Sequence, residues 1–426
     1  MRRKPRSTEA SFAVLHTHCA ALDVHKDSIM ACALTPGEGD EPRSEVRQSG
    51  ATTGELEALG RWLLERGVTH AAMESTGVYW KPVFNILEPV CELTLGNARD
   101  GKPVPGRKTG VADCVWLAKL LRYGLLKASF VPGLEVRELR DLCRMRTTQI
   151  RETVQVGNRL RKVLEDANIK LDSVASDLLG LSGRTMLQAI IAGEEKPAVL
   201  AELARSRMRS KIPELTLALE GRVRPHHRFP LKEWMWMLDR LEEQIQRLEE
   251  EIEKRMPPFE WAAGLLMTKP GFDRVSARNL IAEIGVDMSR FPSARHLVSW
   301  AGASWAGVCP GNNESAGKQR SGKSHRGNRW GKGALTQIAW AASRKNDSYE
   351  QALYRRLAPH RGKKRALVAL ANSTLQAVWH MLGKRQSYLD LGADYFEIRQ
   401  KEKLTHSLVK RLEELGHKVT LEQLAA

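Results

Sequence analysis

AALDVHKDSIMACAL, Ala20 to Leu34, holds two short apolar runs, AALDV and SIMACAL, separated by three polar residues. Apolar runs of this length with polar breaks predict a pair of β-strands. Outward along the chain, GELEALGRWLLERG predicts an amphipathic helix, HAAMEST a strand, VFNILEPV a helix and CELTLGN a further strand. Strands alternating with helices from Ala20 to about Phe130 make an α/β domain.

The next stretch, GRKTGVADCVWLAKLL from Gly106 to Leu121, opens a helix. Its spacing predicts an inner face of Asp113, Trp116, Leu117, Leu120 and Leu121, because residues three and four apart share a side. A carboxylate facing a core is costly without a partner, and one turn back on the same face stands Gly110.

From Leu134 to about Met256 nearly everything reads as helix, starting with a basic segment that carries Arg137, Arg140, Arg144, Arg146 and Arg151. It ends in WMLDRLEEQIQRLEEEIEKRM, where Leu238, Leu241, Ile245, Leu248 and Ile252 keep the alternating spacing of a coiled-coil seam. We expect an oligomerisation stalk there, with a helical hairpin inside one chain as the alternative. PPFE at Pro257 breaks the helix. Beyond it, KPGFDRVSARNLIAEIG reads as a helix-hairpin-helix-like turn, whose backbone amides would contact phosphates, or as a plain tight turn between helices. A polar loop, Ala/Leu-rich helices and a helical tail follow. Ahead of the loop SWAG occurs twice, at Ser299 and Ser304, a short duplication.

The 426 residues carry 67 Lys and Arg against 50 Asp and Glu, a formal charge of +17. With 42% hydrophobic and 27% charged residues the chain is globular and long enough for two or three domains. The cationic excess favours a polyanion through counterion release and puts nucleic acid first; a generally basic surface is the plain alternative. Six cysteines without paired spacing read as small hydrophobes of a reduced, cytoplasmic protein, not as a disulfide framework. The N-terminus lacks the apolar run of a signal peptide and no stretch reads as a bilayer span, so neither export nor membrane insertion is expected.

Three places can carry chemistry. Asp23 lies in the first strand and Glu74 ends another; with Asp113 they would make a hard-cation site of oxygen ligands suited to phosphodiester work. Each acid taken alone is as easily a salt-bridged strand or helix end. The loop CPGNNESAGKQRSGKSHRGNRWGK carries Lys318, Arg320, Lys323, Arg326, Arg329 and Lys332 with no acid after Glu314, so it should cradle phosphates. Ser315 or Ser321 is a possible nucleophile in that field, and a loop that only binds is the alternative. His226 and His227 have no Cys or acidic companion at ligand spacing and are assigned to packing or backbone contacts.

The combination of ALDVHKD, MESTGVYW, PGRKTGVADCVWLAKLLRYGLL, RKVLEDANIKLDSVASDLLGLSGR and GNNESAGKQRSGKSHRGNRW resembles the DEDD transposases of bacterial insertion sequences, the IS-one-ten family, and within it the IS-eleven-eleven subgroup. The resemblance runs from about Ala20 to Phe396. It implies a RuvC-like domain of the ribonuclease H type, a coiled-coil helical middle and a mainly helical C-terminal domain that supplies a catalytic serine. It further implies an enzyme guided by a structured non-coding RNA that pairs with target and donor DNA, acting as a dimer on each DNA and a tetramer in synapsis. Under it Asp23, Glu74 and Asp113 are catalytic and hold Mg²⁺, the nucleophile is Ser315, and Arg107 and Lys108 join the loop cations in binding nucleic acid. The third acid of the family is replaced by Gly110. Hence the alternatives: a copy with reduced or no activity that binds RNA and DNA only, or a RuvC-like nuclease that uses water.

The expected layout is a basic arm at 1–19, the RuvC-like domain at 20–132, a helical coiled-coil region at 133–256, the transposase domain with the serine loop at 257–398 and a tail at 399–426. The expected location is the bacterial cytoplasm, at the nucleoid.

Overall fold

The computed structural model describes residues 13–38, 41–74, 77–96, 110–126, 128–301, 314–315, 318–319 and 328–421. It divides into two compact units, Met1–Leu134 and Glu135–Ala426.

The first unit is built on a sheet of β1 (Cys19–Val24), β2 (Ser28–Thr35), β3 (Arg43–Gly50), β4 (His70–Glu74) and β5 (Glu92–Gly96), in the order β3-β2-β1-β4-β5. β1, β2 and β3 run antiparallel in succession, while β4 lies parallel to both β1 and β5. The small apolar residues of β1 are buried on both faces, as a central strand requires. α1 (Thr53–Glu65) and α2 (Trp80–Leu87) cover one face and α3 (Gly110–Arg122) the other. Thr52 starts α1 with a capping box, in which Glu55 accepts from the Thr52 backbone N–H at 3.1 Å.

The strands and helices expected between Ala20 and Gly96 are present, in a mixed α/β sheet compatible with a ribonuclease H-like domain. β3, RSEVRQSG, is an addition. It is an edge strand of mostly polar residues, none of them buried, so it gave no apolar signal. A correction concerns α3: its buried residues are Cys114, Ala118, Leu121 and Arg122, whereas Trp116 is 39% exposed. Small side chains let the helix lie close on Cys19, Ala21 and Cys32 of the sheet, so the inner stripe is rotated from the one expected while Leu117 and Leu121 still pack on it.

Among its described residues the second unit is helical apart from one hairpin of two two-residue strands. α4 (Leu134–Asp166) leads to the short helices α5 (Leu171–Val174), α6 (Leu181–Ala192), α7 (Pro197–Glu202) and α8 (Ile212–Ala218), and α9 (Pro225–Lys254) returns alongside α4. Contacts between the two long helices advance in opposite directions: Glu138 pairs with Arg255, Arg146 with Glu249, Arg159 lies over Trp234, and Asp166 bonds His227. They form an antiparallel pair, each about 45–50 Å long at about 1.5 Å per residue. Leu238, Leu241, Leu248 and Ile252 of the expected seam are buried within the chain, and Leu238 and Leu241 share a core with Val156, Leu160 and Leu164 of α4. This corrects the stalk reading: the described chain covers its own seam, and the helical hairpin accounts for it.

α10 (Glu260–Met267), α11 (Arg274–Ile284), α12 (Ala294–Trp300), α13 (Arg329–Ala342), α14 (Tyr349–Arg361), α15 (Lys363–Lys384) and α16 (Tyr395–Glu414) complete the unit. The hairpin is β6 (Glu314–Ser315) with β7 (Lys318–Gln319). In the turn between α10 and α11, Gly271 has φ +91°, and a Cβ there would lie 2.4 Å from the Ile338 carbonyl oxygen of α13. Lys269 of the same turn is buried against Glu350. The turn is packed into the protein, which favours the plain interhelical turn over a phosphate-binding hairpin.

Candidate active site

Alternation along β1 sends Ala20, Leu22 and Val24 to the core beneath α1 and α2, and Cys19 and Ala21 to the face under α3. Asp23 shares the α3 face. On β4, Ala71 and Met73 go to the first face and Ala72 to the second, so Glu74 also shares the α3 face. The parallel register pairs Ala21 with Ala72 and Leu22 with Met73. Asp23 and Glu74 are the next residues on each strand, side by side at the carboxyl edge of the sheet.

α3 is fixed over this face by thiols. Cys114 Sγ donates to Ala21 O at 3.0 Å and to Met30 O at 3.2 Å, and one turn on, Cys19 Sγ donates to Ala118 O at 3.7 Å. The helix therefore runs against β1, with its N-terminal turn at the end where Asp23 and Glu74 stand. Asp113 lies in that turn. Burial pushes the Cys114 thiol up to about 12, and the Asp23 carboxylate adds to the shift.

Asp23 is partly buried, 23% exposed, with Oδ2 at 3.4 Å from His25 Nε2. Asp113 Oδ1 is buried and accepts no hydrogen bond. A buried carboxylate oxygen without a donor is costly, and it is the atom a cation would satisfy. The three acids share one end of one face but do not form a group with all ligand atoms within 4.8 Å of one another. Gly110 opens α3, one turn ahead of Asp113 and Cys114.

The described residues do hold one group that tight: Asp166, His226 and His227. His227 Nδ1 accepts from the Arg224 backbone N–H at 3.1 Å, which leaves the ring proton on Nε2, and Nε2 donates to Asp166 Oδ2 at 2.9 Å. Both nitrogens of His227 are in use, so the group locks the end of α4 to the start of α9. The packing role expected of His227 stands, but its acidic companion was invisible in the sequence because it lies 61 residues away.

Ser315 lies in β6, and its backbone pairs with Lys318 of β7. Arg329 and Lys332 are exposed in the first turns of α13. Arg107, Lys108, Arg320, Lys323 and Arg326 lie outside the described residues.

Five cysteines, Cys19, Cys32, Cys91, Cys114 and Cys143, are free and buried, as small hydrophobes. No helix among the described residues is long and apolar enough to cross a membrane.

Two family comparisons coincide with these parts. Residues 20–169, which include the sheet, α3 and the three acids, match the DEDD transposase model of IS110. Residues 263–355, which include the serine-bearing hairpin and α13, match the model described as the transposase IS116/IS110/IS902 family. No curated protein matches the chain. The two matches together take in more than half of the sequence, each at the part expected of such an enzyme, and the chain belongs to the IS110 family of transposases.

Proposed function

We propose that the chain is the recombinase of a bacterial insertion sequence, with Asp23, Glu74 and Asp113 as its acidic centre, Ser315 as its nucleophile and a structured RNA as its guide. The observation that carries this reading is the gathering of the three acids at one end of one sheet face, with Asp113 Oδ1 buried and unpartnered. An all-oxygen donor set of this kind suits Mg²⁺, which when bound would offset charge on the phosphodiester.

The chain's own groups divide the remaining work. The Ser315 hydroxyl attacks phosphorus, a bond forms from its oxygen to phosphorus, and the bond to the departing strand oxygen breaks. The hydroxyl proton passes in net terms to that oxygen, so the step is balanced without an oxidant or reductant. The phosphoserine link preserves the energy of the phosphodiester for rejoining to a new strand. Loop cations and the Arg107–Lys108 pair hold the backbone, and base pairing with the RNA sets the site, so the protein reads mostly backbone and shape. The serine of one subunit completes the acidic centre of another in a dimer-of-dimers assembly.

Gly110 removes one negative ligand from this centre and lowers its activity. Strand exchange by purified protein with its guide RNA should rise in Gly110→Asp, and no gain there would reject the metal-loss account. A protein–DNA adduct that persists in Ser315→Ala would reject the serine. Cleavage without any adduct would establish a water nucleophile instead.

A further inference from the structure

A pocket of about 140 Å³ opens between α4, α11 and α13, with Cys143, Arg144, Arg151, Asn279, Trp330 and Gly333 in its lining. All of its lining residues belong to the second unit. Three guanidinium groups surround the Trp330 indole, with Arg144 at 5.7 Å, Arg151 at 4.8 Å and Arg329 at 4.9 Å from the ring centroid. Arg144 is occupied by the buried Glu283, to which it donates from Nε and Nη2 at 2.7 Å each. Arg151 and Arg329 have no anionic partner among the described residues.

Asn279, one of the lining residues, has a carboxamide oxygen that is buried and accepts no hydrogen bond. Burial pushes the Cys143 thiol up to about 12, which keeps that part of the wall neutral. Gly333 stands in the interior of α13, where alanine would favour the helix, and a Cβ there would meet nothing within 4 Å. The glycine leaves room. Sites for drug-sized ligands run to about 300–1,000 Å³, so this one admits a single small ring system.

An aromatic face, guanidinium groups beside it without an anionic partner among the described residues, and an unsatisfied acceptor on a lining residue are the three things an unstacked nucleotide uses. Its ring stacks on indole or guanidinium planes, its phosphate meets the cations, and a base N–H meets the acceptor. The geometry points to a docking pocket for one unpaired nucleotide of a nucleic-acid strand. The role of such a strand rests on the recombinase reading, but binding here requires neither the acids nor Ser315.

The test is fluorescence anisotropy of labelled DNA and RNA oligomers of one sequence, single-stranded and duplex, with the full chain over a salt series. Gly333→Leu fills the pocket without altering charge. It should weaken single-strand binding by about tenfold, leave duplex binding unchanged and keep the salt slope. Arg151→Gln should weaken binding and flatten the slope of log K against log salt by about 0.7. Asn279→Ala, which adds no bulk, should cost about threefold at constant slope. The tighter of the DNA and RNA arms names the strand. Unchanged single-strand affinity in both Gly333→Leu and Asn279→Ala, with native circular dichroism, overturns the pocket. So does an equal loss for single strands and duplex, which would mark a general cationic surface. If the acids proved dispensable for strand exchange, the recombinase reading would fail while these binding results stood.

Discussion

Cys114 donates its thiol hydrogen to the carbonyl oxygen of Ala21 at 3.0 Å, two residues before Asp23 on the same strand. A helix held this closely needs a small donor at the contact, and serine or alanine spacing alone would not show the need. The bond places the first turn of α3, and Asp113 with it, beside the carboxyl edge of the sheet.

The buried thiols make stability fall at alkaline pH. An unfolded thiol ionises near pH 8.5, whereas burial pushes Cys114 and Cys143 up to about 12 and Cys19 and Cys91 up to about 11. The folded state holds protons that the unfolded state has released, so the contribution is full below about pH 8.5 and is lost as pH rises through about 11–12. The urea midpoint should drop between about pH 9 and pH 11, and native protein at pH 8 should resist a thiol reagent at these positions. A midpoint that stays level across that range would refute it.

Glu283 should be among the costliest residues of the second unit to remove. Its side chain is 4% exposed, held at both oxygens by Arg144, and it accepts from Asn328, whose own Oδ1 caps α13 by accepting from Trp330 N at 2.9 Å. Arg140 donates to the Ala282 and Glu283 carbonyl oxygens at 2.9 and 2.7 Å. Glu283→Ala therefore strands a guanidinium and loosens a helix cap. The expected loss is about 2–4 kcal/mol, below the full figure for a buried pair because Arg144 is 29% exposed. Denaturant unfolding of Glu283→Ala and of the double variant Glu283→Ala/Arg144→Met measures it, and the double variant should recover part of the loss.

The legible parts of the sequence were those where burial and periodicity agree. AALDV and HAAME announce strands because every second residue and its neighbours are small and apolar, and the acids at their ends stand out against that background. That Asp23 and Glu74 are neighbours is a matter of register between strands nearly 50 residues apart, which no local pattern encodes. β3 was silent because an edge strand with one wet face has no need of apolar residues. The seam of α9 was visible as a seam but not its partner, since the apolar residues that cover it, Val156, Leu160 and Leu164 of α4, lie far off in the sequence and stand where a second copy would. Asp166 and His227 meet only because α4 and α9 run antiparallel, and Asn279 with Trp330 meet only where three helices close.

Metal-linked stability gives the sharpest reading of Gly110. A ligand that binds only the folded state stabilises it by an amount that grows with the logarithm of concentration over Kd, about 2.7 kcal/mol at a hundredfold excess. With Asp23, Glu74 and Asp113 alone, MgCl2 should raise Tm slightly, because one oxygen, Asp113 Oδ1, is already waiting without a donor. Gly110→Asp adds a carboxylate at the start of α3, where the helix N-terminus itself favours negative charge, and should give a larger rise at the same Mg²⁺ concentration. Asp113→Asn should abolish the Mg²⁺ response in both backgrounds, and EDTA should return each protein to its metal-free Tm. If Gly110→Asp responds to Mg²⁺ no more than the parent chain, the position does not face the acidic centre, and reduced strand exchange would need another cause.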